Sequence, residues 1–231
     1  MSLGRPRLHL RETTSTNAVA RKLAASGAPH GTLVTAAAQT AGRGRHGRAW
    51  ASAPGSLLLS LVIGDPDRYL PLRAGLAVAD LAGPAARVKW PNDVLLRGRK
   101  VAGVLVEGRP VEGWAVLGIG VNAAVDPSAL PPGAGALGIA PEAALPTLLA
   151  ALEARLAESS PLPALRRRDA LLDQPVAWAG GSGTGAGVTE SGALRVRLPD
   201  GSHTELDAGE VHLTRVAGGT SPPTRSSPPG R

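Results

Sequence analysis

Residues 39–50 read Gln39-Thr40-Ala41-Gly42-Arg43-Gly44-Arg45-His46-Gly47-Arg48-Ala49-Trp50, with three arginines interleaved with three glycines. Glycine lets a backbone come close to a ligand and turns N–H groups toward an anion. Arginine adds a planar fork that grips phosphate or carboxylate with two parallel hydrogen bonds. The segment reads as an anion-binding loop, with Gln39 at the strand end and Trp50 at the far end bounding a pocket. On Arg and Gly content alone, a solvated basic loop or an RGG-like nucleic-acid segment fits as well.

Three further segments carry candidate chemistry. Lys89-Trp90-Pro91-Asn92-Asp93 runs a short strand into a proline, which cannot donate to a ladder, and then into two turn-forming side chains. This aims Asn92 and Asp93 from a strand end, although an ordinary turn explains the same residues. Arg99-Lys100-Val101-Ala102-Gly103-Val104-Leu105-Val106-Glu107 places Lys100 at the mouth of an apolar strand that Gly103 interrupts. A lysine there is usually solvated; beside a ligand it acts as a point charge on carboxylate or phosphate. Gly118-Ile119-Gly120-Val121-Asn122-Ala123 mimics the dinucleotide fingerprint G-x-G-x-x-A. Pro127 and Pro131-Pro132 interrupt the helix such a site needs, so the match lacks its context. No G-x-x-x-x-G-K-[ST] occurs, which excludes a P-loop.

The elements that must position these segments alternate. Thr14-Ser15-Thr16-Asn17 before Ala18–Ser26, with Gly27 after it, predicts a capped helix. Strands are expected over Thr32–Ala38 and Ser56–Ile63, and a helix over Pro71–Ala82 ended by Gly83-Pro84. Short strands follow at Arg87–Trp90, Val94–Leu96, Val101–Glu107 and Trp114–Ile119, then helices at Leu145–Glu158 and Ala164–Leu172. This mixture indicates α+β rather than regular βαβ repeats. From Gln174 the pattern changes to five short strands separated by Gly180–Thr184, Ser191-Gly192, Pro199-Asp200-Gly201 and Ala208-Gly209. These predict a small β-barrel docked on the first domain. The expected division is 1–172, 173–216 and a Pro/Ser/Gly tail at 217–231, disordered by composition.

Charge is concentrated at one end. The 231 residues carry a net charge of +7, and residues 1–48 supply all of it: eight Arg/Lys against Glu12. A local positive field there implies an anionic ligand without naming it. Cysteine is absent, which excludes disulfides, thiolate-ligated metals and thiol catalysis. Aromatic content of 2% leaves little for stacking on single-stranded nucleic acid. No apolar run approaches a membrane span. No apolar stretch follows Arg5, Arg7 and Arg11, so a cytoplasmic protein is expected.

Taken in order, Ser15-Thr16-Asn17, the Gly/Arg loop with Trp50, Lys89–Asp93, Arg99–Glu107 and Gly118–Asn122 resemble the biotin–protein ligases over about residues 12–216. The resemblance implies a mixed-sheet catalytic domain of the biotin/lipoate ligase type with flanking helices and a C-terminal SH3-like β-barrel. It implies ATP-dependent activation of biotin to biotinyl-5′-AMP, then transfer to a lysine of a carboxylase's biotin carrier domain, with Mg²⁺ accompanying ATP.

Roles carried over by the resemblance are these. Ser15, Thr16, Asn17 and Gln39 stand where the family holds biotin. Arg43, Gly44 and Arg45 belong to the loop over biotin and adenylate. Lys100, with Arg45, is the catalytic candidate, and Gly103 leaves room for biotin. Arg48, Trp50, Asn92, Asn122 and Ala136 fall on the nucleotide side, while Asp93 orients Lys100 or a metal, or holds the turn. Fourteen residues before Ser15 are too few for the helix-turn-helix domain of some members, so a monofunctional ligase with no DNA operator is expected. A homodimer through an exposed sheet edge is left open. The alternatives are a lipoate–protein ligase, which shares fold and chemistry, and a nucleic-acid-binding module built on residues 1–48.

Overall fold

The computed structural model describes residues 2–109 and 112–214. Its first part runs β1 (Arg7–Thr13), α1 (Thr16–Ala25), β2 (Leu33–Gln39), β3 (Ser56–Gly64), α2 (Leu70–Ala82), β4 (Ala86–Lys89), β5 (Asp93–Leu96), β6 (Arg99–Arg109), β7 (Trp114–Asn122), α3 (Pro141–Ala157) and α4 (Leu162–Arg168). The seven strands form one mixed sheet in the order β1-β2-β3-β7-β6-β5-β4. Only β1 and β2 pair in parallel; the other ladders are antiparallel.

Period-2 alternation sorts the central strands onto two faces. Leu57, Leu59, Leu61 and Ile63 of β3, with Leu117, Ile119 and Val121 of β7, join the large apolar core under α2 and α3. α2 is buried nearly all round, from Leu70 to Ala79, and α3 contributes a stripe of Ala144, Leu145, Leu148 and Leu152. Arg73, 4% exposed, binds the carbonyls of Arg155 and Glu158 and so ties the end of α3 to α2. The opposite residues, Leu58, Ser60, Gly118 and Gly120, face α1, where Ala20, Val34 and Val116 form a second, smaller cluster. That face carries the candidate site.

Several sequence expectations are corrected. β1 was not foreseen: its residues are mostly exposed, and its parallel pairing with β2 crosses a helix, so no local turn announces it. α3 starts at Pro141, four residues earlier than expected, because proline fits the first helical turn. Gly181–Thr184, expected as a turn, begins a strand. There Gly183 lies so close to Val196 and Arg197 that a Cβ would meet the Arg197 carbonyl oxygen at 2.5 Å.

The second part contains β8 (Pro175–Trp178), β9 (Gly181–Val188), β10 (Leu194–Arg197), β11 (His203–Leu206) and β12 (His212–Leu213). They form a sheet in the order β11-β10-β9-β8-β12, with no ladder between β11 and β12 among the described residues. The expected barrel is therefore an open sheet; its closing strand is only two residues long. Val176, Leu194, Val196 and Val211 merge with the large core. The Tyr69 hydroxyl donates to the Glu190 carbonyl, and Trp90 Nε1 donates to the Gly192 carbonyl at 3.0 Å. The expected tail, 217–231, lies outside the described residues.

Candidate active site

The site is built from its floor upward. Ser15 precedes α1 in extended backbone, and Thr16 and Asn17 open the helix; all three are at most 5% exposed. The side chains of Thr16 and Asn17 join a buried polar chain. The Thr16 amide donates to Gln39 Oε1 at 2.7 Å, and Thr16 Oγ1 lies 3.0 Å from the same oxygen. Ser60 Oγ lies 2.8 Å from Thr16 Oγ1 and 2.6 Å from Asn17 Oδ1. Asn17 Nδ2 donates to Glu107 Oε2 at 2.7 Å. A Cβ on Gly118 would stand 2.1 Å from Asn17 Oδ1, so only glycine leaves β7 flat enough for this arrangement.

The Gly/Arg loop forms the roof. Arg43 bridges Ala49, the Trp50 amide donates to Gly42, and the Gly44 amide donates to the Arg48 carbonyl at 2.7 Å. Gly42 is required by close approach, since a Cβ would meet the Trp50 carbonyl oxygen at 2.5 Å. At the loop tip His46 takes a left-handed conformation, φ 53°. The loop returns Trp50 onto the sheet, with its indole over Gly103 and Gly120; a Cβ at either would lie within 2.9 Å of the ring. Trp50 Nε1 is buried there with no hydrogen-bond partner, an unfavourable state for an indole N–H. The remaining cavity is about 120 Å³.

Cations rim this cavity. Lys100 Nζ pairs with Asp93 Oδ1 at 2.7 Å and lies 5.6 Å from the Trp50 ring centre. Arg45 Nη1 reaches Asn92 Oδ1 at 3.4 Å, and Asn92 Nδ2 donates to the Val104 carbonyl at 3.2 Å. Arg48 pairs with Glu210, in the connection between β11 and β12, at 2.5 Å. Burial lowers the pKa of Lys89, with neighbouring Lys100 and Arg48 acting in the same direction and Asp93 and Glu210 opposing. Burial also lowers that of Arg45, with Arg48 adding to it. Packing cations this closely has a cost that two anionic reactants would relieve. Such a rim suits a reaction that brings a carboxylate against a phosphate without a covalent enzyme intermediate.

Of the sequence-predicted residues, Ser15, Thr16, Asn17, Gln39, Arg43, Gly44, Arg45, Arg48, Trp50, Asn92, Lys100 and Gly103 line this one cavity. Asp93 sits behind Lys100. Asn122 does not line it: its amide donates to the Gly135 carbonyl at 3.0 Å and binds the 133–138 segment to β6 and β7. Ala136 lies in that segment, outside the cavity lining. The room expected beside Gly103 is filled by the Trp50 ring. Sequence reasoning missed Ser60, Glu107, Gly118, Gly120 and Glu210 as parts of the site. Alternation along β3 and β7 was the available signal for Ser60 and the two glycines; Glu210 had none.

The biotin/lipoate A/B protein ligase family model matches residues 9–123. A biotin–[acetyl-CoA-carboxylase] ligase from Paracoccus denitrificans is 39% identical over 238 aligned positions, 87% of this chain and 98% of the relative. The Mycobacterium tuberculosis enzyme of the same name is 44% identical over 141 positions, and the match spans about half, 52%, of its length. Among solved structures, the biotin protein ligase from Aquifex aeolicus in complex with biotin and ATP superposes with a TM-score of 0.77 at 27% identity. That superposition covers 91% of this chain and 99% of the other. With sequence, fold and the convergence of its motifs on one cavity in agreement, the chain belongs to the biotin/lipoate A/B protein ligase family.

Proposed function

We propose that the chain is an ATP-dependent biotin–protein ligase. The observation that carries this reading is the single cavity in which a polar floor, Thr16, Asn17 and Gln39, meets a cationic rim, Arg45, Arg48 and Lys100. The floor suits the cyclic urea of biotin, which has N–H donors and one carbonyl acceptor. The rim suits a carboxylate and a triphosphate.

In the first step the biotin carboxylate oxygen attacks the α-phosphorus of ATP, forming the acyl phosphate bond of biotinyl-5′-AMP and expelling pyrophosphate. Lys100 offsets the repulsion between carboxylate and α-phosphate, and Asp93 holds its ammonium group in place. Arg45 and Arg48 offset charge on the phosphates, with Arg43 and Gly44 completing the loop. In the second step a deprotonated carrier lysine attacks the acyl carbon and AMP leaves. Mg²⁺ enters with ATP as part of the substrate, held by phosphate oxygens. Asp93 is engaged by Lys100, and no group of three His, Cys, Asp or Glu able to hold a metal occurs among the described residues.

The Trp50 ring leaves the glycine surface when ligand enters, which enlarges a cavity of about 120 Å³ toward the roughly 300 Å³ or more of typical ligand pockets. Trp50, Asn92, Asn122 and Ala136 are assigned to the nucleotide side, the last two at the segment that pairs with Lys100 through Gly133 and Gly135.

Residues 1–172 form the catalytic domain in this reading, and 173–216 an SH3-like module whose strand order is that of a barrel left unclosed. The outer edge of β1 is the surface through which a homodimer would pair. The partner is a carboxylase's biotin carrier domain, and the compartment the cytoplasm. The test is transfer: the chain, ATP, Mg²⁺ and biotin are incubated with a biotin carrier domain and, separately, lipoate with a lipoyl domain. One biotinyl group on one carrier lysine is expected, with no lipoyl product. Lipoyl transfer in place of biotinyl transfer would overturn the reading.

A further inference from the structure

Glu107 ends the β6 motif, lies outside the cavity lining and has no part in the chemistry above. Its contact with Asn17 nevertheless fixes the polarity of the floor. An ionised carboxylate only accepts hydrogen bonds. Asn17 must therefore turn Nδ2 toward Glu107, at 2.7 Å, and Oδ1 toward Ser60, at 2.6 Å. An amide oxygen cannot donate, so the Ser60 hydroxyl proton is used on Asn17. At the other end the Thr16 amide fixes Gln39 with Oε1 inward, at 2.7 Å. The Thr16 hydroxyl proton is then used on Gln39 Oε1, at 3.0 Å, or on Ser60 Oγ, at 2.8 Å. Three contacts share two protons. Ser60 is 0% exposed, so no water reaches it, while the Thr16 oxygen opens only onto the cavity.

We infer that Glu107 is a positioning residue which, through Asn17, draws the Ser60 proton away from Thr16, so that the Thr16 oxygen accepts only from the cavity side and the floor selects a ligand N–H. This rests on the ligase reading, in which an N–H of biotin's cyclic urea supplies the missing proton. The ligand class is a cyclic urea or another ring with N–H at that position; an ether or ester oxygen there meets lone pair against lone pair. Replacing Glu107 by Gln releases the constraint. Gln can present its own N–H to Asn17 Oδ1, Asn17 then donates to Ser60, and all three contacts have a proton without ligand.

The test measures adenylate formation with biotin and with the two analogues in which one urea N–H is replaced by oxygen. For the unsubstituted chain, biotin is preferred in kcat/KM over at least one analogue. In Glu107→Gln that preference narrows at least tenfold, about 1.4 kcal/mol. The biotin KM rises, while kcat and the ATP KM stay within twofold. Ser60→Ala, which removes the Ser60 proton without touching Glu107, keeps the preference, and added to Glu107→Gln it restores it, because no Ser60 proton is left to fill the Thr16 oxygen. Glu107→Asp, still acceptor-only, keeps it. An unchanged preference in Glu107→Gln, or a narrowed one in Ser60→Ala alone, would overturn the inference. Equal loss in Glu107→Asp and Glu107→Gln would also overturn it, assigning Glu107 to packing. An unsubstituted chain that makes no biotinyl-adenylate would refute the ligase reading itself, and this inference with it.

Discussion

Gly118→Ala tests whether the floor is built as described. The new Cβ would stand 2.1 Å from Asn17 Oδ1, 2.8 Å from its Cγ and 3.0 Å from its Nδ2, against ordinary contacts of 3.4–4 Å. Gly118 is central in β7, paired on both sides to β3 and β6, so the backbone cannot retreat. The Asn17 side chain must therefore move by roughly 1 Å or more. That stretches the Ser60 contact at 2.6 Å and the Glu107 contact at 2.7 Å together. With Asn17 5% and Ser60 0% exposed, no water replaces them. A buried polar group left without its partner costs about 1–3 kcal/mol. Taking about 3 kcal/mol for the pair, biotin affinity falls on the order of 100-fold if the whole loss appears in binding. Any part borne by the fold appears in the melting temperature, at about 2–4 °C per kcal/mol for a chain of this size. Calorimetric titration with biotin, beside a thermal melt, reads both. Biotin affinity within about twofold of the unsubstituted chain, with an unchanged melt, would refute the reasoning.

Three further outcomes are expected. Lys100→Ala lowers adenylate formation by about 10²–10³, the scale of losing one preorganised charge, in a chain that still folds but melts lower because the mostly buried Asp93 loses its partner; a normal rate would remove Lys100 from the catalytic role. Ligand entry displaces Trp50, so its emission shifts to longer wavelength on titration with biotin and ATP, and the shift disappears in Trp50→Leu; emission from Trp50 that does not respond contradicts the displacement. Asp169 is held by the Leu171 amide at 2.8 Å, while its second oxygen is buried with no hydrogen-bond partner, and burial raises its pKa from 3.8. The folded state thus holds this proton more tightly than the unfolded state, and loses stability as pH rises from about 3.8 through the raised value. Asp169→Asn removes that loss: its melting temperature exceeds the unsubstituted chain's by about 2–4 °C near pH 8, and the gain vanishes toward pH 3. A gain that grows as pH falls would contradict the sign.

Much of the site was legible because its pieces are local. The Gly/Arg loop, Lys89–Asp93 and the strand from Lys100 each announce themselves by residue type and spacing, and the structure brings them to one cavity. What stayed hidden depends on contacts between distant segments. Ser60 reads as one polar residue in an apolar strand until α1 lies over it. Gly118 and Gly120 look like a failed dinucleotide fingerprint. In the folded chain they sit inside β7 and clear space for Asn17 and Trp50. Glu210 reaches Arg48 only because the C-terminal sheet docks beside the loop. The edge strand β1 pairs across α1 in parallel, so its partner leaves no mark nearby. The five short strands were legible, but the barrel expected from them is an open sheet among the described residues, because closure depends on the two-residue β12, whose length composition does not reveal.

The central claim is adenylation of biotin at this cavity. The direct measurement omits any carrier: purified chain, ATP and Mg²⁺ with biotin or lipoate, followed by pyrophosphate release and mass spectrometry of the bound product. The account predicts stoichiometric pyrophosphate and bound biotinyl-5′-AMP, with no lipoyl-adenylate. No adenylate with either acid would contradict it and leave the cationic rim without its reaction.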